Sequence, residues 1–150
     1  MLTSSTTTVI RRPAADVFAA VADITRMGEW SPECTAGRRV APATGPALGA
    51  HFEGDNTAKM GPITLKKWTT TSEVTEYVPN QVFEFFAEGY TSWRYEFVER
   101  DGSTSVTESC SYAPSEGWKK FAYETVLRRP QVVARGMEQT LARLKTALED

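Results

Sequence analysis

The sequence has little of the chemistry on which many hydrolases and metal enzymes depend. Its 150 residues contain one histidine, His51, and two cysteines, Cys34 and Cys110. A single imidazole excludes zinc sites that need two or three histidines, and neither cysteine belongs to a CxxC pair. One alternative stays open, a catalytic pair of His51 with one of the cysteines, although no local feature marks an activated thiol. Alternation along its strand-like run instead predicts that His51 faces solvent.

The chain also lacks an excess of positive charge and any long apolar run. It has 17 Lys and Arg residues against 19 Asp and Glu residues, a net charge of −2 at pH 7, and a pI of about 5.5. Nucleic-acid-binding domains usually carry a basic face, so we expect no nucleic-acid partner. No stretch approaches the ~20 apolar residues of a membrane span, and the first residues do not resemble a secretory signal. We therefore expect no integral membrane segment and a cytoplasmic location.

Sequence motifs for phosphate groups and metal ions are missing as well. The glycines between residues 45 and 49 fit neither GxGxxG nor GxxxxGK, and a strand-like run rather than a helix follows them. The acidic residues do not follow the spacing of a calcium loop. We therefore expect neither a metal site nor a cofactor.

What the sequence contains is the pattern of a single α+β domain over residues 1–150. Its composition, 41% hydrophobic and 24% charged, suits one compact domain of this length. A strand over 3–10 is followed by two short helices, over 13–23 and 24–30. Six further strands are predicted, over 38–41, 49–58, 65–77, 81–88, 91–100 and 103–113. Because the turns between them are short, the strands form an antiparallel meander.

The C-terminal residues, 115–150, indicate a long helix that Pro130 should bend or break. Beyond Pro130 the apolar residues recur every three or four positions, which gives the helix one face to bury. This apolar set consists of Val133, Met137, Leu141, Leu144 and Leu148.

Alternation along the strands predicts a sheet with one aromatic face, which we call the inner face. The residues assigned to the inner face are Phe52, Gly54, Asn56, Trp68, Thr70, Ser72, Val74, Phe83, Phe85, Ala87, Trp93, Tyr95, Phe97, Val106, Glu108, Cys110 and Tyr112. The opposite parity places charged residues such as Glu53, Asp55 and Glu73 on the outer face. The inner face is therefore large and apolar, with a few polar groups among its rings.

Four motifs accompany this order of elements, which is that of a helix-grip fold. They are IRRPAADVF at 10–18, DITRMGEWSPE at 23–33, GAHFEGDN at 49–56 and WRYEF at 93–97. In this order and spacing, over essentially the whole chain, they resemble the SRPBCC (START-like) superfamily and its polyketide cyclase/dehydrase group. That superfamily hosts binding, transfer, cyclase and chaperone-activating proteins on one scaffold, so the resemblance specifies no reaction.

The resemblance implies a curved sheet of about seven strands around the C-terminal helix, with a cavity for an apolar ligand between them. The candidate ligand-binding residues are Trp30, Phe52, Asn56, Trp68, Thr70, Phe83, Phe85, Trp93, Tyr95, Phe97, Glu108, Tyr112, Trp118 and Phe121. Aromatic rings fill a core equally well, so each ring has both interpretations.

Glu108 is the sharpest candidate for chemistry. Its parity places a carboxyl group on the apolar face, where a charge is costly and the pKa of the group rises. Two alternatives remain: a β-bulge that turns Glu108 outward, or an arginine partner such as Arg94 or Arg128. Glu33, after Trp30-Ser31-Pro32, is a second carboxyl candidate, which is also placed to cap local backbone donors.

Two functions fit these features. The first is binding of a hydrophobic small molecule, of lipid, polyketide or aromatic type, without chemistry. The second is a cofactor-independent cyclase/dehydratase that folds a polycarbonyl chain and moves protons. Its catalytic candidates are Glu108 and Tyr112, with Asn56 and Tyr95 as further acid, base or oxyanion-stabilising groups. A chaperone-activating role through the outer surface is a third hypothesis, without an apolar surface patch to support it.

Overall fold

A curved seven-stranded antiparallel sheet and the helices on its inner face make up the fold. The structure is a computed structural model and describes residues 2–42, 44–87, 91–112 and 129–149. The elements are β1 (Leu2–Ile10), α1 (Ala14–Ala22), a 3-10 turn (Ile24–Arg26), α2 (Met27–Trp30), β2 (Cys34–Arg39), β3 (His51–Met60), β4 (Ile63–Val78), β5 (Val82–Ala87), β6 (Thr91–Arg100), β7 (Ser103–Tyr112) and α3 (Arg129–Glu149). The strand order is β1-β7-β6-β5-β4-β3-β2. The predicted helix-grip fold, with two short helices after the first strand, is confirmed.

The first and second strands lie at opposite edges of the sheet. The chain crosses between these edges through α1, the 3-10 turn and α2. The side of α1 that carries Val17, Phe18 and Val21 is buried, which matches the apolar spacing of this segment. These helices therefore cover the part of the inner face that α3 leaves uncovered.

The boundaries of β2 differ most from the prediction. The strand begins at Cys34 rather than at residue 38, because Cys34 pairs with Asn56 and the register then shifts at Ala36. The sequence Cys34-Thr35-Ala36-Gly37 has little strand propensity, so pairing with β3 rather than local preference determines its conformation. The other strand ends move by two residues or fewer.

The C-terminal helix, α3, packs its predicted apolar stripe onto the sheet. Val133, Met137, Leu141 and Leu144 are buried, and each such side chain contributes roughly 1.5–3 kcal/mol through the hydrophobic effect. The described part of α3 begins at Arg129, so Pro130 is its second described residue, and the predicted bend or break at Pro130 stays a prediction. Residues 115–128 of the predicted helix lie outside the described residues.

Polar contacts fasten the end of α3 to the start of the chain. The Arg12 guanidinium donates to the carbonyl oxygen of Leu148 at 2.7 Å, and the Lys145 ammonium donates to the carbonyl oxygen of Val9 at 2.6 Å. Both acceptors are backbone groups, and the first sits at the end of the helix where carbonyls lack intrahelical donors. These contacts fix the helix axis relative to β1 and α1.

Two glycines allow β2 to approach the helical crossover closely. A Cβ atom at Gly37 would clash with the carbonyl group of Ile24, and one at Gly28 would clash with the carbonyl group of Thr35. Since both neighbours are backbone, the clash has no side chain that could rotate away. The small residues are therefore needed for the crossover to lie against the sheet edge.

The first prediction concerns this close approach. We expect Gly37→Ala to lower the free energy of unfolding by about 1–3 kcal/mol, because the added methyl group overpacks a backbone contact. Gly45→Ala is the matched control, since a Cβ there meets no atom within 4 Å. Urea unfolding of both variants tests the prediction, and equal midpoints would contradict it.

Candidate functional site

The inner face carries a buried pair of ionisable side chains, Tyr95 on β6 and Glu108 on β7. The two residues are direct cross-strand partners, so their side chains leave the same face of the sheet. The Tyr95 hydroxyl donates a hydrogen bond of 2.8 Å to Oε2 of Glu108. Glu108 is 3% exposed. We call Tyr95 and Glu108 the inner-face pair.

Burial determines the protonation of the inner-face pair. Loss of solvation raises the pKa of Glu108 to about 8, although the hydrogen bond from Tyr95 opposes this shift. Burial also raises the pKa of Tyr95 well above its usual value, and the neighbouring carboxyl group adds to this effect. At neutral pH the pair therefore consists mainly of a carboxylic acid and a phenol, both uncharged.

The second carboxyl oxygen of Glu108, Oε1, is buried and forms no hydrogen bond with the described residues. An unpartnered buried polar atom costs roughly 1–3 kcal/mol. Native structures rarely leave such an atom without a partner, unless it serves a functional role or holds a water or ligand. Among the described residues, Oε1 is therefore the atom of the inner-face pair that has no hydrogen-bond partner.

The two alternatives to a buried acid can now be compared with the geometry. Strands β6 and β7 pair one to one from Thr91 with Tyr112 to Arg100 with Ser103, so no bulge turns Glu108 outward. Arg94 has the opposite parity to Tyr95 and binds Glu76, Glu84 and Glu96 at 2.6, 3.0 and 3.3 Å. Arg94 is thus engaged by other carboxylates, and Arg128 lies outside the described residues.

A small cavity borders the ring of Tyr95. Its volume is about 20 Å³, and it is lined by Val21, Met27, Trp30, Ser31, Tyr95, Thr140 and Leu144. A space of this size holds about one water molecule. The cavity lies between the sheet, α3 and the α1–α2 crossover, where the prediction places a ligand. The part of the chain that the structure describes thus encloses little free volume here.

Four of the candidate rings are packed against each other. The ring centroids of Phe83 and Phe85 are 5.9 Å apart, and those of Phe52 and Phe85 are 5.1 Å apart. Phe18 joins this group through Phe97 at 5.3 Å and Phe83 at 6.4 Å. Edge-to-face contacts of this kind are typical of a hydrophobic core. These four candidates therefore contribute to the core around Phe18, which the apolar spacing of the first helix places against the sheet.

Three other candidates lie on the part of the inner face nearer β2. The amide nitrogen Nδ2 of Asn56 donates to Oγ1 of Thr70 at 3.2 Å and to the carbonyl oxygen of Gly54 at 3.1 Å. Trp68 is the cross-strand partner of Asn56. This polar group is half-buried and belongs to β3 and β4, two strands away from the inner-face pair on β6 and β7.

The remaining candidates divide into three cases. Trp93 packs against Cys110, Val133 and Met137, which form a smaller cluster under α3. Tyr112 belongs to β7, but its side chain is outside the described part. Trp118 and Phe121 lie outside the described residues altogether.

The second carboxyl candidate, Glu33, accepts a hydrogen bond from the amide of Thr57 through its backbone carbonyl.

The cysteine–histidine alternative receives no geometric support. His51 is exposed at the start of β3, as alternation predicts, whereas Cys34 and Cys110 are buried. Burial raises the pKa of the Cys34 thiol, which makes the nucleophilic thiolate less available. Within the described ranges, no three side chains of histidine, cysteine, aspartate or glutamate come together as a metal site. No described helix combines the length and the apolar character needed to span a bilayer.

Sequence reasoning missed two polar residues of the cavity, Ser31 and Thr140. Thr140 is a polar residue within the apolar stripe of α3, three positions after Met137 and four before Leu144, so its burial was detectable. Its hydroxyl donates to the carbonyl oxygen of Gly136 at 2.8 Å. Ser31 follows the four-residue helix α2, and its hydroxyl accepts from the amide of Cys34 at 3.0 Å; no periodicity in the sequence identifies it.

Comparison with known proteins agrees with this architecture. The sequence profile of a family described as "Polyketide cyclase / dehydrase and lipid transport" matches residues 1–149. The solution structure of a polyketide cyclase-like protein from Corynebacterium glutamicum is 31% identical, covers 98% of this chain and 91% of that chain, and gives a TM-score of 0.66. The solution structure of the KanY protein is 16% identical, covers 99% of this chain and 98% of that chain, and gives a TM-score of 0.75. A protein from Chromobacterium violaceum is 14% identical, with 100% and 99% covered and a TM-score of 0.74.

A curved antiparallel sheet around a long C-terminal helix, with two short helices after the first strand, defines the helix-grip class. The chain belongs to the polyketide cyclase/dehydrase and lipid transport family, and the resemblance to the SRPBCC superfamily is thereby confirmed. Among proteins with curated functional descriptions, none matches this chain.

The second prediction concerns the pH dependence of stability. Because the pKa of Glu108 is about 8 in the folded state and about 4.3 in an unfolded chain, the folded state binds more protons between these values. The contribution of Glu108 to the free energy of unfolding is therefore full below about pH 4.3. It decreases as the pH rises towards 8, by at most about 1.4 kcal/mol per pH unit. Glu108→Gln should remove this loss, so the variant gains stability relative to the wild type from pH 5 to pH 8.

The control for this prediction is Glu73→Gln, an exposed residue of β4. Urea unfolding at pH 5, 6, 7 and 8 measures the difference, and the carboxyl carbon shift of Glu108 in NMR gives its titration directly. A Glu108 that titrates in the ordinary carboxyl range would contradict the prediction.

Proposed function

We propose that this protein binds a hydrophobic small molecule of lipid, polyketide or aromatic type between the inner face of the sheet and α3. The observation that carries the proposal is the buried Oε1 atom of Glu108, which has no hydrogen-bond partner among the described residues. A mostly apolar site with a few placed polar groups is the usual form of a small-molecule site. The membership of the family supports the same function.

The protonation of Glu108 suggests which chemical group the ligand carries. With a pKa of about 8, the carboxyl group is mainly protonated at neutral pH, and Oε2 already accepts from Tyr95. A proton on Oε1 needs an acceptor. A ligand with a carbonyl oxygen would satisfy this donor, so we propose an apolar molecule with at least one carbonyl group.

The small cavity sets a condition on binding. A ligand of ordinary size occupies roughly 300 Å³ or more, whereas the cavity beside Tyr95 has a volume of about 20 Å³. Binding of such a ligand at the inner-face pair therefore requires α3 or the α2 turn to move away from the sheet. The candidate residues that line this cavity are Trp30 of α2 and Tyr95 of β6.

A second candidate function is supported by the raised pKa of Glu108. A general acid or base works best when its pKa lies near the working pH. In a cyclase, protonated Glu108 would donate its proton to a carbonyl oxygen while the enol carbon of the same polyketone adds to the carbonyl carbon, and the carboxylate would accept the proton that the enol hydroxyl releases. In the dehydration, the same carboxyl group would donate its proton to the new hydroxyl group, which leaves as water, and would accept a proton from the adjacent carbon atom, so that it ends protonated again.

The remaining parts of the proposal rest on the sequence. We propose one domain over residues 1–150, a small-molecule rather than a nucleic-acid partner, and a cytoplasmic location. The near balance of charge supports a small-molecule rather than a nucleic-acid partner, because a net charge of −2 provides no general attraction for phosphate backbones.

The third prediction tests binding. Mass spectrometry of an organic extract from the purified protein should reveal an apolar molecule that contains a carbonyl group. Glu108→Gln keeps a donor at this position and should retain that molecule, whereas Glu108→Leu removes the donor and should lower its affinity about tenfold or more. Glu73→Gln, on the outer face, is the control and should behave as the wild type.

The same variants separate binding from catalysis. Incubation with a synthetic linear polyketone, followed by mass spectrometry, should show loss of one water for a cyclase and no change for a carrier. If Glu108→Gln binds the polyketone and does not convert it, the enzyme function is supported. If Glu108→Leu binds ligand as tightly as the wild type does, the proposed site is wrong.

A further inference from the structure

The hairpin formed by the end of β3 and the start of β4 extends beyond β2. The last pair between β2 and β3 is Cys34 with Asn56, and Thr57 donates to the carbonyl of Glu33. On the other side of the hairpin, the described pairing of β4 with β5 starts at Ser72 with Ala87, the last described residue of β5. Residues 58–67, which we call the β3–β4 hairpin, therefore reach roughly 10 Å past β2 at about 3.3 Å per residue.

The charge of this hairpin differs from that of the rest of the chain. From residue 56 to residue 72 the sequence has three lysines, Lys59, Lys66 and Lys67, and no aspartate or glutamate. The whole chain has more acidic than basic residues. The hairpin is therefore a local positive region on a protein of net negative charge.

Among the described residues, no carboxylate neutralises the charges of the hairpin lysines. None of the three forms an ion pair with a described residue, whereas Arg11, Arg12, Arg26, Arg38 and Arg39 each contact a carboxylate. The Nζ atom of Lys66 lies 5.1 Å from the ring centroid of Trp68, and all three lysines are exposed. Apart from the cation–π contact of Lys66 with Trp68, their charges are not used within the described part of the fold.

Apolar side chains are exposed beside these lysines. Ile63 is 62% exposed and Leu65 is 52% exposed, and neither belongs to a core cluster. Exposed aliphatic groups among lysines are typical of segments that lie at a membrane interface, where the apolar groups enter the acyl boundary and the lysines contact anionic headgroups. A nucleic acid would instead use exposed rings that stack on its bases. The one ring beside these lysines, that of Trp68, is half-buried and covered by Lys66, whereas the exposed apolar side chains, Ile63 and Leu65, are aliphatic.

We propose that the β3–β4 hairpin docks this protein onto an anionic lipid surface. Lys59, Lys66 and Lys67 provide the attraction, and Ile63 and Leu65 provide the insertion. The inference is independent of the ligand at the inner-face pair, because it uses residues that do not contact that pair.

Vesicle binding by the full chain tests the electrostatic part. The protein should bind vesicles of 70% phosphatidylcholine and 30% phosphatidylserine and should bind pure phosphatidylcholine vesicles far more weakly. At about fivefold per lysine, Lys66→Ser with Lys67→Ser should lower the affinity about 30-fold. Arg100→Ser with Arg135→Ser removes the same charge from exposed positions on β6 and α3 and should leave the affinity within about twofold of wild type.

A second pair of variants tests insertion. Ile63→Ser with Leu65→Ser should lower the vesicle affinity about tenfold, since two exposed aliphatic side chains leave the acyl boundary. The control is Val9→Ser with Val98→Ser, because these valines are 50% and 67% exposed on other strands. Circular dichroism and unfolding midpoints equal to wild type ensure that each variant is folded.

Three results would overturn the proposal. The first is equal binding to both kinds of vesicle, and the second is an equal effect of the hairpin and control variants. The third is binding of single-stranded RNA, at the same salt concentration, as tightly as anionic vesicles, with loss on Lys66→Ser and Lys67→Ser but not on Ile63→Ser and Leu65→Ser. That last result would assign the hairpin to a nucleic acid rather than to lipid.

Discussion

The structure depends on covering one face of an open antiparallel sheet. Strand alternation places Phe52, Phe83, Phe85 and Phe97 on this face, and water would otherwise contact their rings. The chain covers the face with two separate segments, the crossover that carries Phe18 and the C-terminal helix. The fold relies on this hydrophobic core, because both cysteines are free and the described residues hold no cluster of metal ligands to replace it.

Within that covered face, Glu108 is the exception that determines the function we propose. An apolar residue would avoid both the desolvation of a carboxyl group and the unpartnered Oε1 atom. The neighbouring Tyr95 satisfies only one oxygen, so the fold accepts an energetic cost at this position. A cost of this kind is understandable if a ligand or a substrate supplies the second hydrogen bond.

The sequence predicts most of the fold and part of the site. The alternation of Trp93, Tyr95 and Phe97 and the helical spacing of Met137, Leu141 and Leu144 result directly from burial on one face, so both were detectable. The start of β2 was not detectable from the sequence, because pairing with β3, rather than local propensity, determines the conformation of Cys34 to Gly37. The volume of the cavity beside Tyr95 was not detectable from the sequence either. It depends on how closely α3 and α2 approach the sheet, and no local pattern encodes that distance.

The division of the aromatic residues between core and site follows the same logic. Parity assigns a ring to a face but does not say whether another ring fills the space in front of it. At one end of the sheet, Phe18 packs against Phe83 and Phe97, so these rings belong to the core and do not border a cavity. At the other end, Trp30 and Tyr95 border a small cavity with Ser31 and Thr140. The core and the candidate site are therefore adjacent parts of one covered face.

The β3–β4 hairpin has a simpler interpretation that must be weighed against lipid docking. Long strands that protrude from a sheet invite pairing with other chains, and lysines on such strands prevent it. Lysine is the residue that such protection uses most, so the positive charge alone fits both interpretations. The hairpin, however, retains Ile63 and Leu65 in exposed positions, and exposed aliphatic residues weaken protection against pairing. The combination of lysines with exposed aliphatic side chains therefore fits attraction to a lipid surface better than avoidance of neighbours.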